Sequence, residues 1–370
     1  MSVNNNDYFR LRRENFLAAM KRKGLDKAVV GRPTTLYYLT GAMFTPYERF
    51  IALALDAAKG ECTMILPSLE QGAMSRHGAD IPEVTFLDSE DPAGVLGSVL
   101  GRNRRIGLEM NYFTVTAGRK IAPGETVMVD VGDIIQSLRA RKDQMEIENI
   151  RSAALCADQA LTEALPLLKP GVSEKEFAME LLRLMARDPG VNVDSYVIQI
   201  LGGANSANPH GASSGYVFQP GDAITIDFGA YYNYYWSDFC RTYFIGQAPA
   251  RLKEVYPIVL EAHLSGMDVT KPGLEAREID RAARSVIEKA GYGPNFIHRT
   301  GHGVGLDIHE DPYMHAHNET LLEEGMVFTV EPGIYFPGLG GIRIEDDVAV
   351  TSDGWESLNT HPKDFESMII

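Results

Sequence analysis

Two β-rich runs, each carrying a pair of carboxylates at mirrored positions, constrain this chain more than any other feature. The first is DAITIDFGAYYNYYWSDFCRTYF, with Asp227 and Asp238. Alternation puts Ile224, Ile226 and Phe228 on one face and Ala223, Thr225 and Asp227 on the other, which specifies a strand. A second strand, Tyr234 to Phe244, follows after a turn expected at Tyr232-Asn233, and that turn sets Asp227 directly opposite Asp238. The second run, VFTVEPGIYFPGLGGIRIEDD, reverses at the Gly/Pro cluster 337–341 and sets Glu331 opposite Glu345. Arg343 shares the face of Glu345, while Ile342 and Ile344 point into apolar packing. Like charges facing across a ladder are destabilising unless a cation lies between them. A lone strand carboxylate is ordinarily solvated or paired with Lys or Arg, but two such hairpins specify a site.

Between the runs lies IHRTGHGVGLDIHEDP, with His298, His302 and His309. Glycines at 301, 303 and 305 argue against a helix and for an extended segment whose backbone approaches a neighbour closely. A helical zinc motif is therefore not expected, and GHGVG lacks the third glycine of a dinucleotide loop. Four carboxylates and an imidazole match two divalent cations in charge. Oxygen-rich ligation favours manganese, then cobalt or zinc, over copper, and no thiolate ligand is expected. Two such ions a few ångströms apart can polarise a carbonyl together, so amide hydrolysis is the chemistry expected of them.

These residues resemble the pita-bread metallopeptidases, the family of methionine aminopeptidases, aminopeptidase P and prolidases. The matching motifs are NPHG around His210, GDAITIDFGA, YYWSDFCRTYFIG, HRTGHGVGLDIHEDP, MVFTVEPGIYF and GGIRIEDDVAVT. The resemblance implies five metal ligands, Asp227, Asp238, His302, Glu331 and Glu345, with Asp238 and Glu345 bridging two ions. It implies further active-site histidines at His210, His298 and His309, Glu331 as general base, and Arg343 orienting carboxylates. It also implies an α/β, creatinase-like N-terminal domain (1–140), then a pita-bread catalytic domain (141–370) whose antiparallel sheet is backed by helices. The expected activity is dinuclear metal-dependent removal of the residue preceding proline from dipeptides or short peptides. The alternative is a hydrolase or lyase of a small creatine-, ectoine- or sulfonium-like compound. Creatinase-type members lose metal ligands, and retention of all five here counts against that branch. A homodimer is the family expectation.

Two departures bear on substrate length. Small bacterial prolidases tend to carry Asp-Pro-His-Glu-Arg where this chain has Thr45, Pro46, Tyr47, Glu48 and Arg49. Some prolidases grip the substrate carboxylate with an arginine at the position of Tyr313. Arg49 then remains as the carboxylate clamp, with Tyr313 as a neutral substrate contact, and tripeptides are expected to be cleaved at least as well as dipeptides.

The rest of the chain is consistent with two globular domains. Hydrophobic residues make up 45% and charged residues 23% of the 370, against long disordered tails. Net charge of −15 disfavours nucleic acid as a partner. Cys62, Cys156 and Cys240 have no CxxC spacing and suit reduced thiols. The first residues show no apolar signal core and no 18-residue apolar run follows, so a cytoplasmic protein away from membranes is expected. Tyr8 to Lys23 is expected to form a helix burying Phe9, Leu11, Phe16, Leu17 and Met20. Ser173, with Glu176 three residues on, is expected to cap a helix. The domain boundary is placed near Ala140 to Asp143.

Overall fold

The computed structural model describes residues 5–101, 105–193 and 197–370, which divide into two compact units meeting in sequence at Arg139 and Ala140. In the N-terminal unit, β1 (Lys27–Val30), β2 (Ala52–Asp56), β3 (Glu61–Pro67), β4 (Glu83–Phe86), β5 (Arg105–Leu108) and β6 (Val127–Asp130) form one mixed sheet. Its order is β4-β3-β2-β1-β5-β6, antiparallel at β1/β2 and β2/β3 and parallel elsewhere. Val29, Ala54, Ile65, Phe86, Ile106 and Leu108 pack in one core against the helix Pro92–Leu100. Strand β4 carries only a half-buried EVTF, too short and too polar for periodicity to reveal.

The first helix, Asn5–Arg22, buries Phe9, Phe16, Leu17 and Met20, but Leu11 is 52% exposed. At 100° per residue Leu11 lies on the opposite side from Phe9. Its expected place is taken by Arg12, which is 3% exposed, donates to the carbonyl of Tyr38 and lies over that ring at 4.6 Å.

The C-terminal unit is built on antiparallel strands. A three-stranded sheet, β11-β8-β7, contains β7 (Val197–Gly202), β8 (Ala223–Gly229) and β11 (Phe239–Phe244). The loop from β8 to β11 holds the short ribbon β9 (Tyr231–Tyr232) and β10 (Tyr235–Trp236). A five-stranded sheet, β13-β12-β14-β17-β18, contains β12 (Gly301–Gly303), β13 (Glu310–Met314), β14 (Val327–Val330), β17 (Asp346–Val350) and β18 (Trp355–Ser357). Between β14 and β17 the chain forms the ribbon β15 (Gly333–Phe336) and β16 (Gly340–Arg343). Cys240 and Glu345 exchange backbone hydrogen bonds at 3.3 and 3.1 Å and so tie β11 to the second run.

Four long helices accompany these sheets: Gln144–Ala164, Glu174–Met185, Ala250–Asp268 and Ala276–Lys289. Asp143 with Glu146, and Ser173 with Glu176, cap the first two with reciprocal side-chain and backbone bonds. Ile224, Ile226, Phe228, Ile342 and Ile344 are buried in one cluster with Phe177, Val255 and Ile287 from the helices. The apolar faces of both acidic runs thus pack inward, which leaves their polar faces to line a cleft.

The glycines of β12 are required by close backbone approach. A Cβ on Gly301 would lie 1.8 Å from the carbonyl oxygen of Thr329, so β12 sits against β14 only without a side chain there. Gly97, inside the helix Pro92–Leu100, has open space around its Cβ position. Gly301→Ala is expected to destabilise by about 1–3 kcal/mol, whereas Gly97→Ala is expected to stabilise by about 0.5–1 kcal/mol. Urea unfolding of the two variants checks this contrast, and equal behaviour contradicts it.

Candidate metal centre

Asp227 lies on β8, whose register with β11 pairs Cys240 with Asp227 and Phe239 with Phe228. Asp238 therefore does not stand directly opposite Asp227 as expected. The turn falls one residue later, on Asn233 and Tyr234, whose φ angles of 46° and 66° suit the left-handed turn that matches hairpin twist. Moving the turn by one residue shifts each cross-strand partner by two, which preserves the face. Asp238 and Asp227 consequently share a face as diagonal neighbours, with Cys240 directly opposite Asp227 in the ladder. In the second run, Val330 pairs with Asp346 and Gly333 with Arg343. That common register sets Glu331 opposite Glu345.

His302 enters from β12. Its backbone N–H donates to Thr329 Oγ1 at 3.1 Å, and its Nδ1 lies 3.1 Å from the carbonyl of Gly303. A proton on Nδ1 satisfies that carbonyl and leaves the Nε2 lone pair directed at Glu331, 3.4 Å away, and Asp238, 3.7 Å away. Side-chain donor atoms of His302, Glu331 and Glu345 all lie within 4.8 Å of one another, as do those of Asp227, Cys240 and Glu345. Cys240 is a thiol in the donor cluster that the sequence reading excluded. Burial pushes its ionisation up, so it stays protonated and contributes packing rather than a thiolate.

Burial is the largest electrostatic cost in the cluster, and repulsion between the carboxylates adds to it. Burial, then Asp227 and the neighbouring carboxylates, holds Asp238 well above the usual aspartate range. Burial and then Asp238, Glu331 and Asp227 do the same to Glu345. Burial foremost raises Glu331 to about 7, against the opposing pull of Arg343. Carboxylates buried this closely need protons or cations. Oxygen donors from four acids and a pre-oriented imidazole fit hard divalent ions.

Arg343, 2% exposed, is one cation already present. It ion-pairs with Asp227 and donates to Gln199 Oε1 and Tyr335 Oη, both at 3.1 Å. Tyr335 Oη in turn lies 2.9 Å from His298 Nε2, and His298 Nδ1 lies 2.7 Å from the carbonyl of Arg299. Burial lowers His298 to about 3, so it is neutral, and both of its ring nitrogens are engaged. This relay of bonds orients Arg343 and leaves His298 no free nitrogen.

The remaining histidines are exposed at the cleft. The loop bearing His210 is held by Glu174, wholly buried, which accepts from Gly202 N, Asn205 Nδ2, Ser214 N and Ser214 Oγ. His309 stands edge-on to His302 at 4.1 Å between ring centroids. The neighbouring Glu310 is fixed by a buried ion pair to Lys142 at 2.9 Å. Glu174 and Lys142 were not singled out from sequence, where each reads as an ordinary surface charge.

The cleft these groups line has a volume of about 640 Å³, and its walls include Asp227, Asp238, His302, Glu331, Glu345, His210, His298, His309, Arg343 and Arg299, all from the C-terminal unit. Arg299 was also passed over from sequence. Arg49 pairs with Asp88 and Glu48 within the N-terminal unit, and Tyr313 pairs with His302 across β12 and β13.

Comparison with known proteins agrees with this geometry. The model of metallopeptidase family M24 matches residues 148–352, and that of the creatinase/prolidase N-terminal domain matches residues 12–141. The chain is 36% identical over 349 residues to an Xaa-Pro dipeptidase of Pyrococcus furiosus, covering 94% of this chain and 97% of that one. It is 35% identical over 340 residues to an uncharacterized peptidase of Staphylococcus aureus strain RF122, covering 91% and 95% respectively. Among solved structures, an Xaa-Pro dipeptidase from Bacillus anthracis superposes with a TM-score of 0.89 at 34% identity, covering 98% of this chain and all of that one. A prolidase from Pyrococcus furiosus gives 0.85 at 34% identity, covering 94% and 99%. The chain belongs to metallopeptidase family M24.

The raised carboxylates make the metal-free protein pH-sensitive. Glu331, near 7 when folded and about 4.3 when unfolded, binds more protons in the native state between those values. Stability of the metal-free protein is therefore greatest below about pH 4.3 for this group and falls as pH rises toward 7. Asp238 and Glu345 act in the same direction. Manganese is expected to abolish the fall, with protons released on uptake. Thermal melts with and without metal across pH 5–7.5 measure it, and parallel curves count against the cluster.

Proposed function

We propose that this M24 metallopeptidase removes the N-terminal residue preceding proline from very short peptides, using two divalent ions held by Asp227, Asp238, His302, Glu331 and Glu345. The observation that carries the reading is the buried carboxylate cluster with His302 Nε2 turned into it. The Xaa-Pro dipeptidase relatives, similar along nearly the whole chain, support proline as the second residue. When bound, the ions supply Lewis acidity to the scissile carbonyl and make a water nucleophilic near neutral pH. Manganese is the preferred occupant, with cobalt or zinc as substitutes, since the donors are chiefly oxygen. Asp238 and Glu345 would be the ligands common to both ions.

The chain's own groups do the rest. Glu331 takes the proton of the attacking water and passes it onward. His309 and His210 hydrogen-bond the oxygen that gains charge and deliver a proton to the prolyl nitrogen. That nitrogen has no N–H in the substrate and must be protonated to leave. Arg343 and His298 hold Asp227 and Tyr335 in place and move no proton.

The protein has no helix long and apolar enough to cross a membrane among the described residues. A cytoplasmic homodimer acting on peptides is our reading of its setting.

A manganese-reconstituted panel of Xaa-Pro, Xaa-Pro-Yaa and Xaa-Ala peptides tests the function. Hydrolysis confined to the proline substrates is expected, and equal turnover of Xaa-Ala contradicts it. His302→Ala is expected to lose bound metal. His309→Ala should retain metal while kcat falls by about 10²–10⁴. Equal metal loss in the two variants overturns that division of roles.

A further inference from the structure

The two arginines assigned to the site from sequence, Arg343 and Arg49, are already engaged. Arg343 is consumed by Asp227, Gln199 and Tyr335, and Arg49 by Asp88 and Glu48. Arg299 differs from both. It lines the cleft beside His298 and His309, and its guanidinium lies 4.4 Å from the centroid of the Tyr313 ring. Among the described residues no carboxylate stands within ion-pairing distance of Arg299, and its guanidinium donates no hydrogen bond. An aromatic face orients such a group without occupying its N–H donors, which lie in the plane of the guanidinium. The charge is also close to the chemistry, because Arg299 lines the same cleft as Glu331 and His309.

We propose that Arg299, seated on Tyr313, binds the C-terminal carboxylate of the substrate and makes the enzyme a dipeptidase. The inference rests on the Xaa-Pro reading above and deepens it. In an Xaa-Pro dipeptide the free carboxylate belongs to the residue after the scissile bond, about 3.8 Å of chain away between Cα atoms. A cation fixed in the same cleft as the donor cluster therefore meets the carboxylate of a dipeptide, and meets only a neutral amide carbonyl in a longer peptide. A planar fork suits a carboxylate bidentately, and a site built for a charged partner discriminates strongly against its neutral analogue. Tyr313 is then the platform for the clamp rather than its replacement. On this proposal the length preference runs opposite to the one expected from the sequence.

The test compares Ala-Pro, Ala-Pro amide and Ala-Pro-Ala on the manganese-loaded full-length enzyme and on Arg299→Gln and Arg299→Lys, with metal content and melting temperature recorded for each. The wild type should favour Ala-Pro over its amide by at least about tenfold in kcat/KM. Arg299→Gln should lose on the order of 10²-fold on Ala-Pro, chiefly in KM, and less than about threefold on the amide. Arg299→Lys, with a charge but no fork, should fall between, and it decides the matter if the glutamine variant does not fold. Parallel losses on acid and amide, or no loss, overturn the clamp and assign Arg299 a packing role. A wild type that cleaves all three substrates equally overturns the clamp alone, whereas one that cleaves none overturns the Xaa-Pro reading as well.

Discussion

The mutual repulsion of four carboxylates turned into one buried cleft governs the architecture of the C-terminal unit. Asp227, Asp238, Glu331 and Glu345 cannot all be ionised together without cations, and burial raises the latter three. A chain left to itself would splay such groups into water. Here the strands bearing them are held from behind by Arg241, fully buried, which donates to the carbonyls of Cys240, Glu345, His361 and Pro362 and to Asp346. Asp346 also contacts His263 at 3.0 Å and pairs with Lys363. The compensated charges under the sheet fix the positions of the uncompensated ones above it. Removing one member of such a network leaves its partners buried without compensation, a larger cost than the network's net contribution.

The same scaffold gives the imidazoles of the cleft different surroundings. His302 has its Nδ1 occupied by a carbonyl and its Nε2 free, the arrangement a metal ligand needs. His298 has both nitrogens occupied and serves as a strut for Tyr335 and Arg343. His309 and His210 are exposed at the cleft and anchored indirectly, by Glu310 with Lys142 and by Glu174. Four imidazoles of identical chemistry thus meet different partners because the backbone around each differs.

Much of this was legible in the sequence, for reasons that also mark where legibility ended. Alternation revealed the acidic strands because side-chain period is a local property, and a misplaced turn in the first hairpin did no harm to the face on which Asp238 lies. The second hairpin was read in its observed register, since the Gly/Pro cluster 337–341 marked the reversal. Capping at Ser173 was visible because both partners lie within one helical turn. Leu11 was misplaced because an apolar side chain counted for more than its helical angle, and Arg12 takes the buried position instead. Arg299 escaped because an arginine between two histidines reads as a solvated charge, and only tertiary placement shows it over Tyr313 with its donors unengaged. Glu174 and Lys142 escaped for the same reason, as the side-chain partners of Glu174 lie at least 28 residues away and the ion-pair partner of Lys142 is Glu310.

The central claim is that the carboxylate cluster is completed by two metal ions shared through Asp238 and Glu345. Anomalous diffraction at the manganese edge from crystals grown with manganese measures this directly. The account predicts two peaks in the cleft, both within coordination distance of Asp238 and Glu345, with His302 Nε2 bound to one of them. A single peak, or two peaks of which neither touches both carboxylates, would contradict it.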